Sequence, residues 1–169
     1  NDGEGWEPIG SESEPFAVIF DGNGHEVRNL MINRPSSDYQ GLFGATEGAE
    51  IRNLGLTGLL LSVEGGRYVG ALAGRVEGGA ITASFATGPV KSHSTYTDAY
   101  TGGLVGRLSN SAITASYTAG SVSATGRYVG GLVGYSRDGS LEAVFSTAAV
   151  TGRSDVGGLV GEQMSASIK

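Results

Sequence analysis

The sequence predicts an all-β fold, a parallel β-solenoid (β-helix) of about five coils with 27–32 residues per coil and an N-terminal capping segment. Three observations predict it. A glycine-bracketed leucine recurs at Leu42, Leu72, Leu104, Leu132 and Leu159, at separations of 30, 32, 28 and 27 residues. A second apolar residue, Ile51, Ile81, Ile113, Leu141 or Ile168, follows each leucine at the same nine-residue interval. Helix is disfavoured because each glycine costs roughly 1 kcal/mol relative to Ala in a helix interior, and glycine interrupts every stretch that could show a 3.6-residue period. Self-similarity at such a spacing is the signature of stacked coils.

The elements follow in chain order. Residues 1–24 are read as the cap and 25–169 as the repeats, within one domain. The cap carries the only tryptophan, Trp6, with Pro8 and Pro15, and proline cannot donate to a strand ladder. Seven of the 17 acidic residues lie in or beside it: Asp2, Glu4, Glu7, Glu12, Glu14, Asp21 and Glu26. Each later coil opens on a segment such as Gly102-Gly103-Leu104-Val105-Gly106, where glycine permits positive φ or close backbone approach at a corner. A strand follows, as in Ile81-Thr82-Ala83-Ser84-Phe85, and its period-two alternation places 81, 83 and 85 on one face, inward. Leu104, Leu132, Ile113, Tyr117 and Phe85 are therefore expected in the core, with Phe85, Tyr117 and Phe145 stacked in one column. Polar runs such as Ser92 to Asp98 absorb the differences in coil length.

These segments resemble the GLUG-motif family. Tyr128-Val129-Gly130-Gly131-Leu132-Val133-Gly134 and the strand Ile113 to Gly120 carry the resemblance, and the leading portion Gly5 to Gly10 and Phe20 to Leu30 is similar to the start of such arrays. Ala71 and Ala73 replace Gly and Val in the second copy, Gly55 replaces a strand aromatic, and Glu142-Ala143-Val144 replaces the usual polar triplet. The resemblance implies a bacterial secreted or cell-surface protein, since such repeats accompany filamentous-haemagglutinin-like adhesins and IgA-specific metallopeptidases. It implies a non-catalytic module with adhesin-like binding or a stalk or spacer role, further domains in the same polypeptide, and a host or neighbouring-cell protein or glycan as partner. The alternative it implies is an accessory domain of a secreted, cell-wall-associated peptidase.

Composition narrows the function classes. A net charge of −6 opposes binding to nucleic acid or anionic membrane, because phosphates are held mainly by Lys and Arg. No run of 18 apolar residues occurs, so membrane insertion is not expected, and the first residues lack the basic and apolar regions of a signal peptide. The absence of cysteine excludes disulfides and thiolate metal sites.

Candidate chemistry is sparse. His25 and His93 have no second ligand at zinc spacing, and no HExxH segment is present. Asp98, Asp138 and Asp155 fall at different repeat offsets, while Glu77, Glu142 and Glu162 are isolated, so no acid–base pair, catalytic residue or cofactor is assigned. Asp21 and Asn23 offer oxygen ligands to calcium, yet the closing bidentate Glu of an EF-hand loop is missing and Asp-Gly and Asn-Gly are turn formers. The threonine column through Thr87 and Thr147 is interrupted by Ala119, which opposes ice binding. The remaining candidate is a ligand-binding column of Tyr68, Tyr100 and Tyr128, each four residues before an anchor leucine, with Arg75 and Arg107 three residues after the first two. A saccharide could stack on such rings.

Overall fold

The structure, a computed structural model, describes residues 3–58 and 62–169. Of the acidic residues singled out above, Asp2 lies outside them. The described residues contain strands and turns and no helix, and every strand pairs with its neighbours in parallel. The chain winds as a β-solenoid of about five turns. One coil shows the plan: Tyr100–Gly102, Val105–Ser109, Ala112–Thr114 and Tyr117–Ala124 each contribute one rung to one of four sheets. Registers match the repeat, since Ile113 pairs with Ile81 and Leu141, and Val105 with Ala73 and Val133.

Burial follows the two apolar columns of the repeat. Leu72, Leu104 and Leu132 are 0% exposed, and Ile51, Ile81, Ile113 and Leu141 at most 1%. The glycines beside them permit close approach: a methyl on Gly130 would overlap the carbonyl oxygen of Val133, within the same coil. Positive φ is used at the corners instead. After the Val105–Ser109 rung the turn residue is Asn110, Asp138 or Ser165 in successive coils, and after the Ala112–Thr114 rung it is Ala83, Ala115 or Ala143, all with φ between 48° and 52°.

This second corner corrects the expected side-chain alternation. A residue in the left-handed region turns the chain without continuing the pleat, so parity shifts by one. Ile81 points inward, Ala83 turns, and Ser84 and Ala86 point inward in place of Phe85. Phe85 and Tyr117 are thus half-buried outside the core, and Phe145 is 54% exposed. Their rings still form the expected column, with centroids 4.8 and 4.9 Å apart and planes 3° and 0° from parallel. The inward serines are satisfied along the stack. Ser116 Oγ accepts from Ser84 N at 3.1 Å and donates to the Thr114 carbonyl at 2.8 Å, and Ser84 Oγ repeats this toward Leu54 N and the Thr82 carbonyl.

The N-terminal segment covers one end and also begins the stack. Ile19–Asp21 pairs with Glu50–Arg52, and Glu26–Arg28 with Gly55–Thr57, so position 24 falls inside a coil. Ile9 and Phe16 bridge to Phe43 and Thr46, and Trp6 Nε1 donates to the Leu42 carbonyl at 3.2 Å. The rings of Phe16 and Phe20 close over Phe43, which is 0% exposed.

Candidate functional site

The corner before each buried leucine builds a ladder of tyrosines. Tyr68 pairs in register with Tyr100, and Thr101 with Val129, which sets Tyr128 on the next rung. The ring centroids of Tyr68 and Tyr100 are 5.2 Å apart and those of Tyr100 and Tyr128 5.1 Å, with planes 31° and 9° from parallel. The ladder is longer than the sequence suggests. Tyr39 stacks on Tyr68 at 4.5 Å, and Tyr135 meets Tyr100 and Tyr128 obliquely, at 5.4 Å from each. Tyr39 escapes the repeat because the first coil has one residue fewer between ring and leucine. Tyr135 escapes it because it occupies the column of Arg75 and Arg107.

The stacking changes what the ladder can do. Rings lying face to face along the solenoid axis cover one another, and the outer face of Tyr128 carries the Arg127 guanidinium 4.6 Å from its centroid. A saccharide therefore cannot lie flat on these faces as the sequence reading supposed. Ring edges and hydroxyls remain. The hydroxyls of Tyr68, Tyr100 and Tyr128 make no hydrogen bond within the described residues, whereas Tyr39 Oη donates to Glu12 Oε1 at 2.6 Å. Burial is the largest cause raising the phenol pKa of Tyr39, Tyr100 and Tyr128, with the Glu12 bond adding to it at Tyr39, so these groups stay protonated donors.

Arg75 and Arg107 lie beside the ladder on paired strands. The Arg107 guanidinium carbon sits 5.6 Å from the Tyr100 centroid and 5.8 Å from that of Tyr135, within cation–π range. The Nε atoms of both arginines are out of solvent and without a hydrogen-bond partner. The structure thus brings together all five residues singled out for ligand binding: Tyr68, Tyr100, Tyr128, Arg75 and Arg107.

Other candidates have local partners. Asp21 accepts from Arg52 Nε at 2.9 Å, Asn53 Nδ2 at 3.0 Å and Asn23 N at 2.9 Å, and these bonds, Asn53 first, lower its pKa to about 2. Asn23 is a turn residue with φ 51°. An arginine therefore already faces the carboxylate that was considered for calcium. His93 Nε2 lies 3.0 Å from Glu64, which also pairs with Lys91. Asp98, Asp138, Asp155 and Glu77 each face an arginine rather than one another, at 4.0, 3.4, 2.6 and 3.6 Å. Among the described residues no three His, Asp or Glu side chains are grouped to hold a metal ion, and no helix is long and apolar enough to cross a membrane.

Fold and strip together define a β-solenoid module with a continuous tyrosine–arginine edge. No protein-family model matches the chain. Over 74 residues it is 46% identical to a protein of Evansella cellulosilytica provisionally named a Gly-rich membrane protein, a match covering 43% of this chain and 9% of that one. Over 82 residues it is 42% identical to Halomucin of Haloquadratum walsbyi, covering 46% of this chain and 1% of the relative. The matched segments are thus small parts of much longer proteins. A crystal structure from Bacteroides ovatus, of a chain provisionally named an immunoglobulin A1 protease, superposes with a TM-score of 0.59 over 96% of this chain and 63% of that one. At 22% identity this likeness shows the shared fold alone.

Proposed function

We propose that the chain is a non-catalytic β-solenoid module of a longer secreted or cell-surface polypeptide, and that its tyrosine–arginine strip is an adhesin-like contact surface for glycans. One observation carries this reading. Tyr68, Tyr100 and Tyr128 form a row of hydroxyls without partners in the described residues, held along the axis by a stacked ladder beside two arginines. A rigid repeat gives such a row fixed spacing, so a linear polymer can meet several donors at once without reorganising the protein. Weak contacts suffice where many copies act together on a surface. Sequence likeness to proteins named Gly-rich membrane protein and Halomucin supports the location.

A glycan-array screen of the whole chain tests the proposal against a variant with Tyr68→Phe, Tyr100→Phe and Tyr128→Phe, which keeps the ring ladder and removes the hydroxyls. Wild type is expected to retain at least one glycan class that the variant loses, with circular dichroism showing both folded. Equal binding by the two, or no binding by wild type, would leave the ladder as packing and the module as a spacer.

A further inference from the structure

Building on the reading of the strip as a glycan-binding surface, we infer that its ligand is an acidic saccharide whose carboxylate is received by Arg107, with Arg75 and the hydroxyls of Tyr100 and Tyr128 flanking it. Every other half-buried arginine of the described residues has a carboxylate oxygen within 4.0 Å: Arg34 with Glu4, Arg67 with Asp38, Arg75 with Glu77 and Arg127 with Asp155. Arg107 has none among the described residues, in a chain whose net charge is −6. Arg153 and Lys169 also lack a carboxylate partner among the described residues, but both are exposed.

The surroundings make the vacancy of charge specific. Arg107 is in register with Arg75 on the adjacent rung, so two cations stand about 4.8 Å apart at the backbone. Arg75 reaches its own Glu77 only at 3.6 Å, and Glu77 is also held by Asn110 Nδ2 at 2.8 Å. The column runs Ala45, Arg75, Arg107, Tyr135 and Glu162, so its one carboxylate lies two rungs beyond Arg107, with Tyr135 between. Two half-buried like charges that share a single, long-range counterion repel each other, and an anion bridging them offsets that repulsion. The buried Nε and the flanking rings fix the Arg107 stem, which leaves a guanidinium held in place for a planar acceptor. Because the stacked rings hide their faces, the strip offers hydrogen-bond donors rather than an apolar platform, and donors with positive charge suit a carboxylate better than a neutral sugar.

The test is a titration of the whole chain, followed by isothermal calorimetry, with five probes: an oligogalacturonate, a sialylated oligosaccharide, the methyl ester of each, and a sulfated glycosaminoglycan fragment as a comparison. At least one carboxylate probe is expected to bind, its ester at least about tenfold more weakly. Arg107→Gln should weaken binding of the acid by a similar factor, Arg107→Lys should restore part of it, and Arg153→Gln should leave it unchanged, with thermal melts confirming the fold of each. Rising salt should weaken the acid and leave the ester unaffected. Binding of an ester or of a neutral array glycan as tightly as any acid, still lost in the triple Tyr→Phe variant, overturns the acidic ligand and keeps the surface. Binding of the sulfated probe alone overturns the carboxylate. Binding of nothing, on the array or here, overturns both.

Discussion

Ala115 is a small exposed side chain held at φ 49°, where an L-residue other than glycine, Asn or Asp meets its own backbone. Ala115→Gly relieves that crowding while giving up an exposed methyl, and the glycine's greater freedom in the unfolded chain offsets part of the gain. A net stabilisation of about 0.5–1 kcal/mol is expected from denaturant midpoints at unchanged slope. Ala115→Val, branched at the same position, should destabilise. A loss of stability in the glycine variant would show that the corner is not strained. The same residue marks where the sequence was readable and where it was not. Ile113 and Leu104 announce their burial through a repeated apolar position, but the same alternation points Tyr117 and Phe85 inward, because alanine gives no sign of a left-handed turn. Asn53, at the equivalent corner with φ 54°, is a residue type that does signal one.

The strand Ile19–Asp21 joins the stack through its hydrogen bonds to Glu50–Arg52 and through the carboxylate of Asp21 on Arg52 and Asn53. The folded state lowers the Asp21 pKa from 3.8 to about 2. A depressed carboxylate contributes stability fully above its unfolded pKa and loses it as pH falls through the folded one, so this contribution fades between pH 3.8 and about 2. Asp21→Asn should flatten the decline of stability across that window and leave a residual slope, because Glu26, Glu64 and Asp155 are lowered too, chiefly by Thr57, Lys91 and Arg127 respectively. Denaturation midpoints measured at several pH values check it, and an unchanged slope would mean that the bonds to Asp21 do not persist in solution. At this scale the candidate strip was legible as a column, since Tyr68, Tyr100 and Tyr128 keep a constant offset from their leucines. The orientation of the rings was not, because spacing fixes which residues align and says nothing of whether they meet by face or by edge.

Across the whole molecule the two ends differ. One is covered by residues Ile9 to Asp21, and on the last coil Phe145, Val156, Met164 and Ile168 are between 45% and 54% exposed. Deleting residues 1–24 removes the Ile19–Asp21 rung and the bridges of Gly5, Ile9 and Phe16 to Ile32, Phe43 and Thr46, and so uncovers Phe43 together with open strand edges. The shortened chain is expected to unfold at lower denaturant and to associate with rising concentration in sedimentation velocity. An equally stable monomer would show that the segment is dispensable.

The parallel registers carry a mechanical consequence. Hydrogen bonds between successive rungs point along the axis, so tension drawn from one end of the stack to the other opens them in peeling order rather than all together. Each coil that yields frees 27 to 32 residues, about 100 Å of extended backbone, while the coils behind it stay wound. Anchored at one end and pulled at the other, such a stack would lengthen in steps and dissipate work in each, where a rigid rod would pass the whole load to its attachment.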